Sequence, residues 1–359
     1  DELSLVSLST SDYRQLHELL DLLNTEFEQK VSISFPSLRP ESFTPQVAKY
    51  ARGVRKSGIT LAPEAGTQRL RNVINKATLE SELLRAVDLA FSEGWNLVKL
   101  YFMIGHPSET DEDLMGLVDL ISQVRQVAAQ YRGKRINVSV SPLIPKPVTP
   151  FQWVQQDTME ETRRKLDVLS HYIRWRNVKL SWREPDVAYV EGLLARGDRR
   201  VGNVLERVWR NGATLEGWSE FFLFSRYEQA MQQEGLTFEQ FVSGYALEQP
   251  LPWQHIDKGV TKKFLRDEYA RALGEEQMPD CRFSECHSCG LMGEHVFKTL
   301  INSQSTGKAS ETPIELATEE WQRSDEAEPE ARGEKQYARL RYSRGVAVRF
   351  LSHLDILRL

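Results

Sequence analysis

The first 180 residues alternate short apolar runs with amphipathic stretches, and this alternation restricts the fold more than any other property of the chain. Strands are predicted at Leu3–Leu8, Val31–Phe35, Gly58–Ala62, Asn96–Ile104, Ile136–Ser141 and Val178–Trp182. The run at 96–104 is the longest, and its β-branched and aromatic content favours strand over helix. Helices are predicted from Ser11, with Leu16, Leu19, Leu20 and Leu23 on one face, and over Thr44–Lys56, Thr67–Asn75, Thr78–Phe91 and Met159–Arg176. A further helix behind a Thr110 cap carries Leu114, Leu117, Val118, Ile121, Val124 and Ala128 at spacings of three and four. Strand, helix and strand in this rhythm mean parallel strands joined by crossover helices. A doubly wound sheet and a barrel both satisfy the pattern. In either, the ligand-binding edge is formed by the segments that leave the strand C-termini.

Those segments carry chemistry. The first is the hydroxyl-rich Ser9-Thr10-Ser11-Asp12-Tyr13, and the second is Phe35-Pro36-Ser37-Leu38-Arg39. The third is Pro63-Glu64-Ala65-Gly66-Thr67-Gln68, followed by Arg69, Arg71 and Asn75-Lys76. The fourth is Gly105-His106-Pro107-Ser108-Glu109-Thr110, and the fifth is the proline-rich 141–150. Taken singly, each has an ordinary explanation as a turn, a helix cap or a solvated carboxylate. Together, Glu64, Gln68, Arg71 and the Gly105 loop would line one mouth. A carboxylate binds ribose hydroxyls, a guanidinium clamps a carboxylate, and glycine permits close backbone approach. The set suits a nucleoside carrying an amino-acid tail.

Composition narrows the class. The 359 residues are enough for about two domains, and 46 basic against 51 acidic residues leave no global signature of a nucleic-acid binder. No apolar run approaches the roughly 18 residues of a membrane helix, so a soluble, cytoplasmic chain without a membrane partner is expected. The chain opens at Asp1 without Met and stops at Leu359 within a pattern, which reads as a fragment cut at both ends.

The stretches SLVSLSTSDY, VSISFPSLRPESF, GITLAPEAGTQRLRNVINK, VKLYFMIGHPSETDEDL and SPLIPKPVTPFQW resemble consecutive strand–loop elements of radical S-adenosylmethionine (SAM) enzymes. More narrowly, they resemble the bacterial family with an upstream cobalamin-binding domain and a C-terminal radical-SAM-linked domain. The resemblance runs over nearly the whole chain, and EAGTQRLRNVINK and YFMIGHPSETDEDL are its most specific parts. It implies a partial parallel (β/α) barrel over 1–185, lacking its first strand, that binds S-adenosylmethionine against a 4Fe-4S cluster. Glu64 then corresponds to a position near the ribose or amino-acid moiety. Gln68 belongs to the same loop, Arg71 partners the methionine carboxylate, and Gly105 and Pro107 form the loop beneath the adenosyl group.

One departure stands out. The resemblance calls for a CxxxCxxC loop after the first barrel strand, because soft thiolates hold such clusters, yet no cysteine precedes Cys281. Two explanations stand: the cluster ligands and the cobalamin domain lie upstream of this chain, in a longer radical SAM enzyme of unknown substrate, or the chain is a degenerate homologue that lost its cluster; the start at Asp1 favours the first. No catalytic residue is assigned to the piece, which should be inactive alone. The rival reading is a non-catalytic barrel that binds or scaffolds and holds a structural zinc.

All three cysteines fall in Cys281-x4-Cys286-x2-Cys289, which points to metal rather than crosslinking. The resemblance implies an auxiliary iron–sulfur site, with Leu291-Met292 where a fourth thiolate would lie. The spacing equally suits a Cys3His zinc site completed by His287 or His295. This segment closes a mainly helical, aromatic-rich region, 186–300, in which Arg196, Arg199 and Arg200 read as a small solvated basic turn. From 301 to 335 runs a linker whose Ser310–Lys335 stretch has nine acidic and three basic residues, a composition that favours disorder. Residues 336–359 resemble the opening of the radical-SAM-linked domain, and their basic character suits a partner surface or RNA.

Overall fold

Among the described residues, six short strands, all in parallel pairs, carry out the expected alternation. The computed structural model describes residues 2–5, 13, 15–27, 32–34, 39–40, 43–50, 58–281 and 284–291. Contacts divide the chain into Asp1–Asn302 and Ser303–Leu359. The expected linker and tail at 301–335 and 336–359 lie outside the described residues, as do 6–12, 35–38 and 51–57.

Strand β1 (Glu2–Ser4) pairs with β2 (Ser32–Ser34), and between them lies α1 (Leu16–Glu26), whose Leu16, Leu19, Leu20 and Leu23 are buried as one stripe. Helix α2 (Pro45–Tyr50) follows. The larger sheet contains β3 (Ile59–Glu64), β4 (Leu97–Ile104), β5 (Arg135–Pro142) and β6 (Val178–Trp182), side by side in chain order. Its crossovers are α3 (Gln68–Val73) with α4 (Glu80–Ser92), α5 (Asp111–Ala129) and α6 (Met159–Tyr172). A doubly wound sheet needs a reversal in strand order. These four strands have none, as in the arc of a partial barrel or one half of a doubly wound sheet.

The two faces of the sheet divide by residue type. Ile59, Leu61, Val98, Leu100, Phe102, Ile104, Ile136, Val138 and Val140 are buried in one core with Leu83, Val87, Phe91, Leu117, Ile121 and Val124 of the crossover helices. Alternation along each strand sends the intervening residues to the other face. There the register aligns Thr60, Lys99, Asn137 and Lys179 in one row, Tyr101, Ser139 and Ser181 in the next, and Met103 with Ser141 beyond. This second face is polar and partly open to solvent.

Helix α3 is shorter than expected: it ends at Val73, and Asn75 then takes φ +53°, in the left-handed region. Helices α7 (Pro185–Arg196), α8 (Arg200–Arg210), α9 (Phe224–Gln233) and α10 (Glu239–Val242) bury Tyr189, Leu193, Val204, Tyr227, Phe238 and Phe241 in a second core. The basic turn is not simply solvated. Arg196 is completely buried and donates to the carbonyls of Val154, Phe241 and Ser243 at 2.9, 3.0 and 2.8 Å, so its five-donor fork staples α7 to two loops. The aromatics divide as well: Tyr227, Phe241 and Trp253 are core, whereas Trp209, Trp218 and Phe221 are exposed. Among the described residues no helix is long and apolar enough to cross a membrane.

Two glycines bring the exit of β3 against α5. A Cβ on Gly66 would overlap the Leu117 backbone, and one on Gly116 would overlap the Thr67 methyl group. Gly66→Ala is therefore expected to cost on the order of 3 kcal/mol, as overpacking against rigid backbone does. Gly202→Ala, on an exposed face of α8 with open space around it, should stabilise by about 0.5–1 kcal/mol. Urea unfolding of both variants checks the contrast, and a Gly66→Ala protein as stable as the parent would contradict this packing.

Candidate functional site

The exits of β3 and β4 lie next to each other because the two strands pair. The Ala65 N–H donates to the Pro63 carbonyl at 2.9 Å, and Glu64 between them has φ +67°. This is the strained form of the γ-turn, and the β3–β4 register shifts at the same place. The turn leaves the Glu64 carboxylate partly exposed, 3.6 Å from Lys76 Nζ. Burial raises its pKa, and the nearby ammonium opposes that rise.

Arg71 and Gln68 shape this loop. The Arg71 guanidinium is buried and donates to the carbonyls of Ala65 and Gly66 at 3.0 and 3.1 Å and to Gln68 Oε1 at 3.3 Å. Gln68 in turn donates to Asn72 Oδ1 at 3.0 Å. Of the residues expected at the mouth, Glu64 is the one that offers a charged group. Arg71 is committed to loop backbone, and Gly105 and Pro107 are buried.

The exit of β4 rests on a buried cation. Gly105 has φ +87°, and its N–H donates to Glu109 Oε1 at 2.8 Å. Lys165 Nζ donates to that same oxygen at 2.8 Å and to Asp157 Oδ2 at 2.7 Å. Burial lowers the Lys165 pKa, but Glu109 and Asp157 more than offset this and the ammonium stays charged. A side chain on Gly105 would press on Asp157, 2.8 Å from where its Cβ would stand. His106 follows, 4% exposed, with neither ring nitrogen aligned for a hydrogen bond although backbone of Glu64 and Met103 lies close. Burial pushes its pKa down, so the ring is neutral at physiological pH.

Asp113 joins the two exits. Its carboxylate accepts from Thr67 Oγ1 at 2.5 Å, from the Thr110 N–H at 2.9 Å, from Thr110 Oγ1 at 3.1 Å and from Arg69. Arg69 also reaches the Ser108 carbonyl at 2.8 Å and Glu275 at 2.8 Å. The chain beyond α11 (Lys262–Leu273) thus returns to the mouth. Gln277 Nε2 donates to Asn72 Oδ1 and the Met278 N–H to Asn75 Oδ1, both at 2.9 Å.

Asp113, Lys165, Asp157 and Glu275 were not among the residues expected to matter. Two of them had a signal. Thr110-x-x-Asp113 has the spacing of a reciprocal N-cap. Lys165 lies on the stripe of Thr162, Leu166 and Leu169, where a lysine has to be buried. The pairing of Arg69 with Glu275, 206 positions apart, has no local signal. At the late cysteines, Cys281 is exposed and Cys286 and Cys289 are half-buried. Burial first, and then Asp280 and the other two cysteines, push the Cys281 thiol pKa up. Among the described residues, no three His, Cys, Asp or Glu side chains are gathered in a metal-holding arrangement.

Residues 1–121 match the family model of the Radical SAM superfamily, a span that takes in both strand exits. The uncharacterized protein MJ0966 of Methanocaldococcus jannaschii is 28% identical over 236 residues, covering 66% of this chain and 50% of the relative. The chain thus spans about half the length of the relative it matches.

Hydrogen bonds to Asp113 outweigh the effect of burial and hold its pKa below the usual carboxylate range. Its stabilising contribution is therefore complete above the unfolded pKa of about 3.9 and is lost as pH falls through the lower folded value. Asp113→Asn should cost about 2–3 kcal/mol at neutral pH, the low end for a broken buried pair because Arg69 keeps Glu275. Unfolding curves of the two proteins should converge as pH drops below about 3.9. A constant gap down to the most acid pH would show that the Asp113 charge is not what stabilises the two exits.

Proposed function

We propose that this chain supplies the S-adenosylmethionine-binding part of a radical SAM enzyme. The match of residues 1–121 to that superfamily carries the proposal, since both strand-exit loops fall inside it. In this reading the Glu64 carboxylate accepts from hydroxyl or ammonium groups of the bound nucleoside. Gln68 and Arg71 hold the turn that presents Glu64, and Gly105-His106-Pro107 forms the wall against the adenosyl group. The strain at Glu64 supports the assignment, because a left-handed carboxylate residue costs roughly 1–3 kcal/mol and persists where the surroundings impose it.

The residues present do not fit the catalytic 4Fe-4S cluster. Residues 1–280 contain no cysteine, and the late triplet has a different spacing from CxxxCxxC. Cobalamin, an RNA substrate and a C-terminal linked domain remain what the family resemblance implies. The late cysteines are read as ligands of a separate metal.

Glu64→Gly tests the site apart from folding. Glycine adopts φ +67° without strain, so stability should hold or rise by about 1 kcal/mol. S-adenosylmethionine affinity, measured by titration calorimetry, should fall about tenfold, the equivalent of roughly 1.4 kcal/mol. Absence of binding by the parent protein would favour a barrel used as a scaffold. Anaerobic incubation of the chain with iron, sulfide and reductant should yield no 5′-deoxyadenosine. Robust cleavage would overturn the separation of this chain from the catalytic cluster.

A further inference from the structure

Parallel strands are ordinarily covered on both faces, yet this sheet has helices packed on one and leaves the other partly open. Tyr101, in the middle of an inner strand, is 43% exposed. The open face is polar, so an occupant has to match it by charge and hydrogen bonding and not by apolar area.

The charge on β4, β5 and β6 is of one sign. The register sets Lys99 of β4 opposite Asn137 of β5, and Asn137 opposite Lys179 of β6. Neighbouring strands stand about 4.8 Å apart, so Lys99 and Lys179 flank Asn137 with their Cα atoms about 10 Å from each other. Arg135 precedes Asn137 by two residues and shares its face, about 7 Å back along β5. No Asp or Glu occurs in β4, β5 or β6. Among the described residues, none of these four side chains has a hydrogen-bond or ion-pair partner. The fold supplies a counter-ion at the other end of β6, where Arg183 lies 2.7 Å from Glu191, whose second oxygen lies 2.7 Å from Lys146 Nζ. Three cations around one amide are left without one.

We propose that Lys99, Arg135, Asn137 and Lys179 form a binding site for a phosphate-bearing small molecule. A monocarboxylate would leave two of the three positive charges uncompensated, whereas a phosphate monoester brings about 1.5–2 negative charges and a diphosphate more. Lysine serves phosphate as a point charge and arginine as a two-pronged donor, and the Asn137 amide donates to a remaining oxygen. Lys99 stands about 13 Å from Met103 along β4, which separates this site from the exits that carry Glu64 and Gly105. A phosphate fixed there leaves the rest of the molecule to run along Tyr101, Ser139 and Ser181 toward those exits. Calling the anion a substrate rests on the function proposed above, whereas its binding does not.

The test uses the whole chain and inorganic pyrophosphate, titrated by calorimetry at fixed ionic strength. The parent protein should bind, and Lys99→Gln and Lys179→Gln should each weaken binding about tenfold, the loss expected for one charge-assisted contact. Lys99→Arg keeps the charge and should retain most of the affinity. Lys263→Gln, which removes an equal charge from a side chain 85% exposed on α11, should change nothing. Glu64→Gly should leave pyrophosphate binding intact, so a failure at the exits and a failure here are read separately. Pyrophosphate that does not bind, or that Lys263→Gln weakens as much as Lys99→Gln does, would overturn the site. Displacement by equimolar acetate would overturn the phosphate assignment. A single-stranded oligoribonucleotide held by the same lysines, with pyrophosphate silent, would give the face to a polymer instead.

Discussion

Asp113 carries a negative charge into a nearly closed environment, and the groups that compensate it come from two different strand exits. Thr67 and Arg69 belong to the loop after β3, whereas Thr110 caps the helix after β4. An unpaired carboxylate at that depth would be untenable, so the two loops have to stay in one relative position for the charge to be satisfied. The Lys165 ammonium does the same one layer away, tying Gly105 through Glu109 to Asp157. The two strand exits are therefore built on paired charges that the fold itself holds in place.

Much of this architecture was legible. The periodicity switch from strand to helix located β3, β4, β5 and β6 to within a few residues, because apolar alternation on a half-buried strand is a strong local signal. The choice between barrel and doubly wound sheet was not legible, since strand order depends on which neighbours pair rather than on the pattern within each strand. At the site, residue identity was easier to read than role. Arg71 looked like a ligand clamp but is spent on the Ala65 and Gly66 carbonyls, because a short loop that turns through Glu64 leaves acceptors needing a donor. Arg196 looked solvated and is the most deeply buried of the three arginines near it, since long-range carbonyls cannot be anticipated from spacing.

The C-terminal region supports the barrel half. Ala272 packs with Ala65, Leu70 and Val73, and Glu275 completes the Arg69 network, so the exit of β3 is partly assembled from chain 200 positions later. A change in the order of residues 272–278 would be felt at Lys76 and hence at Glu64. The helical region and the sheet are coupled through this short strap as well as through their shared packing.

The close approach of Gly66 to Leu117 and of Gly116 to Thr67 has a consequence of a different kind. Where glycines let a loop and a helix meet with only backbone and one short Thr67 side chain between them, neither can slide far, because there is little rotamer freedom to absorb the motion. The rim on that side is therefore a hard edge. The two exits cannot be spread apart there without breaking this contact. The polar face of the sheet, along Tyr101, Ser139 and Ser181, is bounded by side chains instead. Change within this architecture is thus expected to fall first on the strand residues of the polar face, with the glycine rim left unchanged.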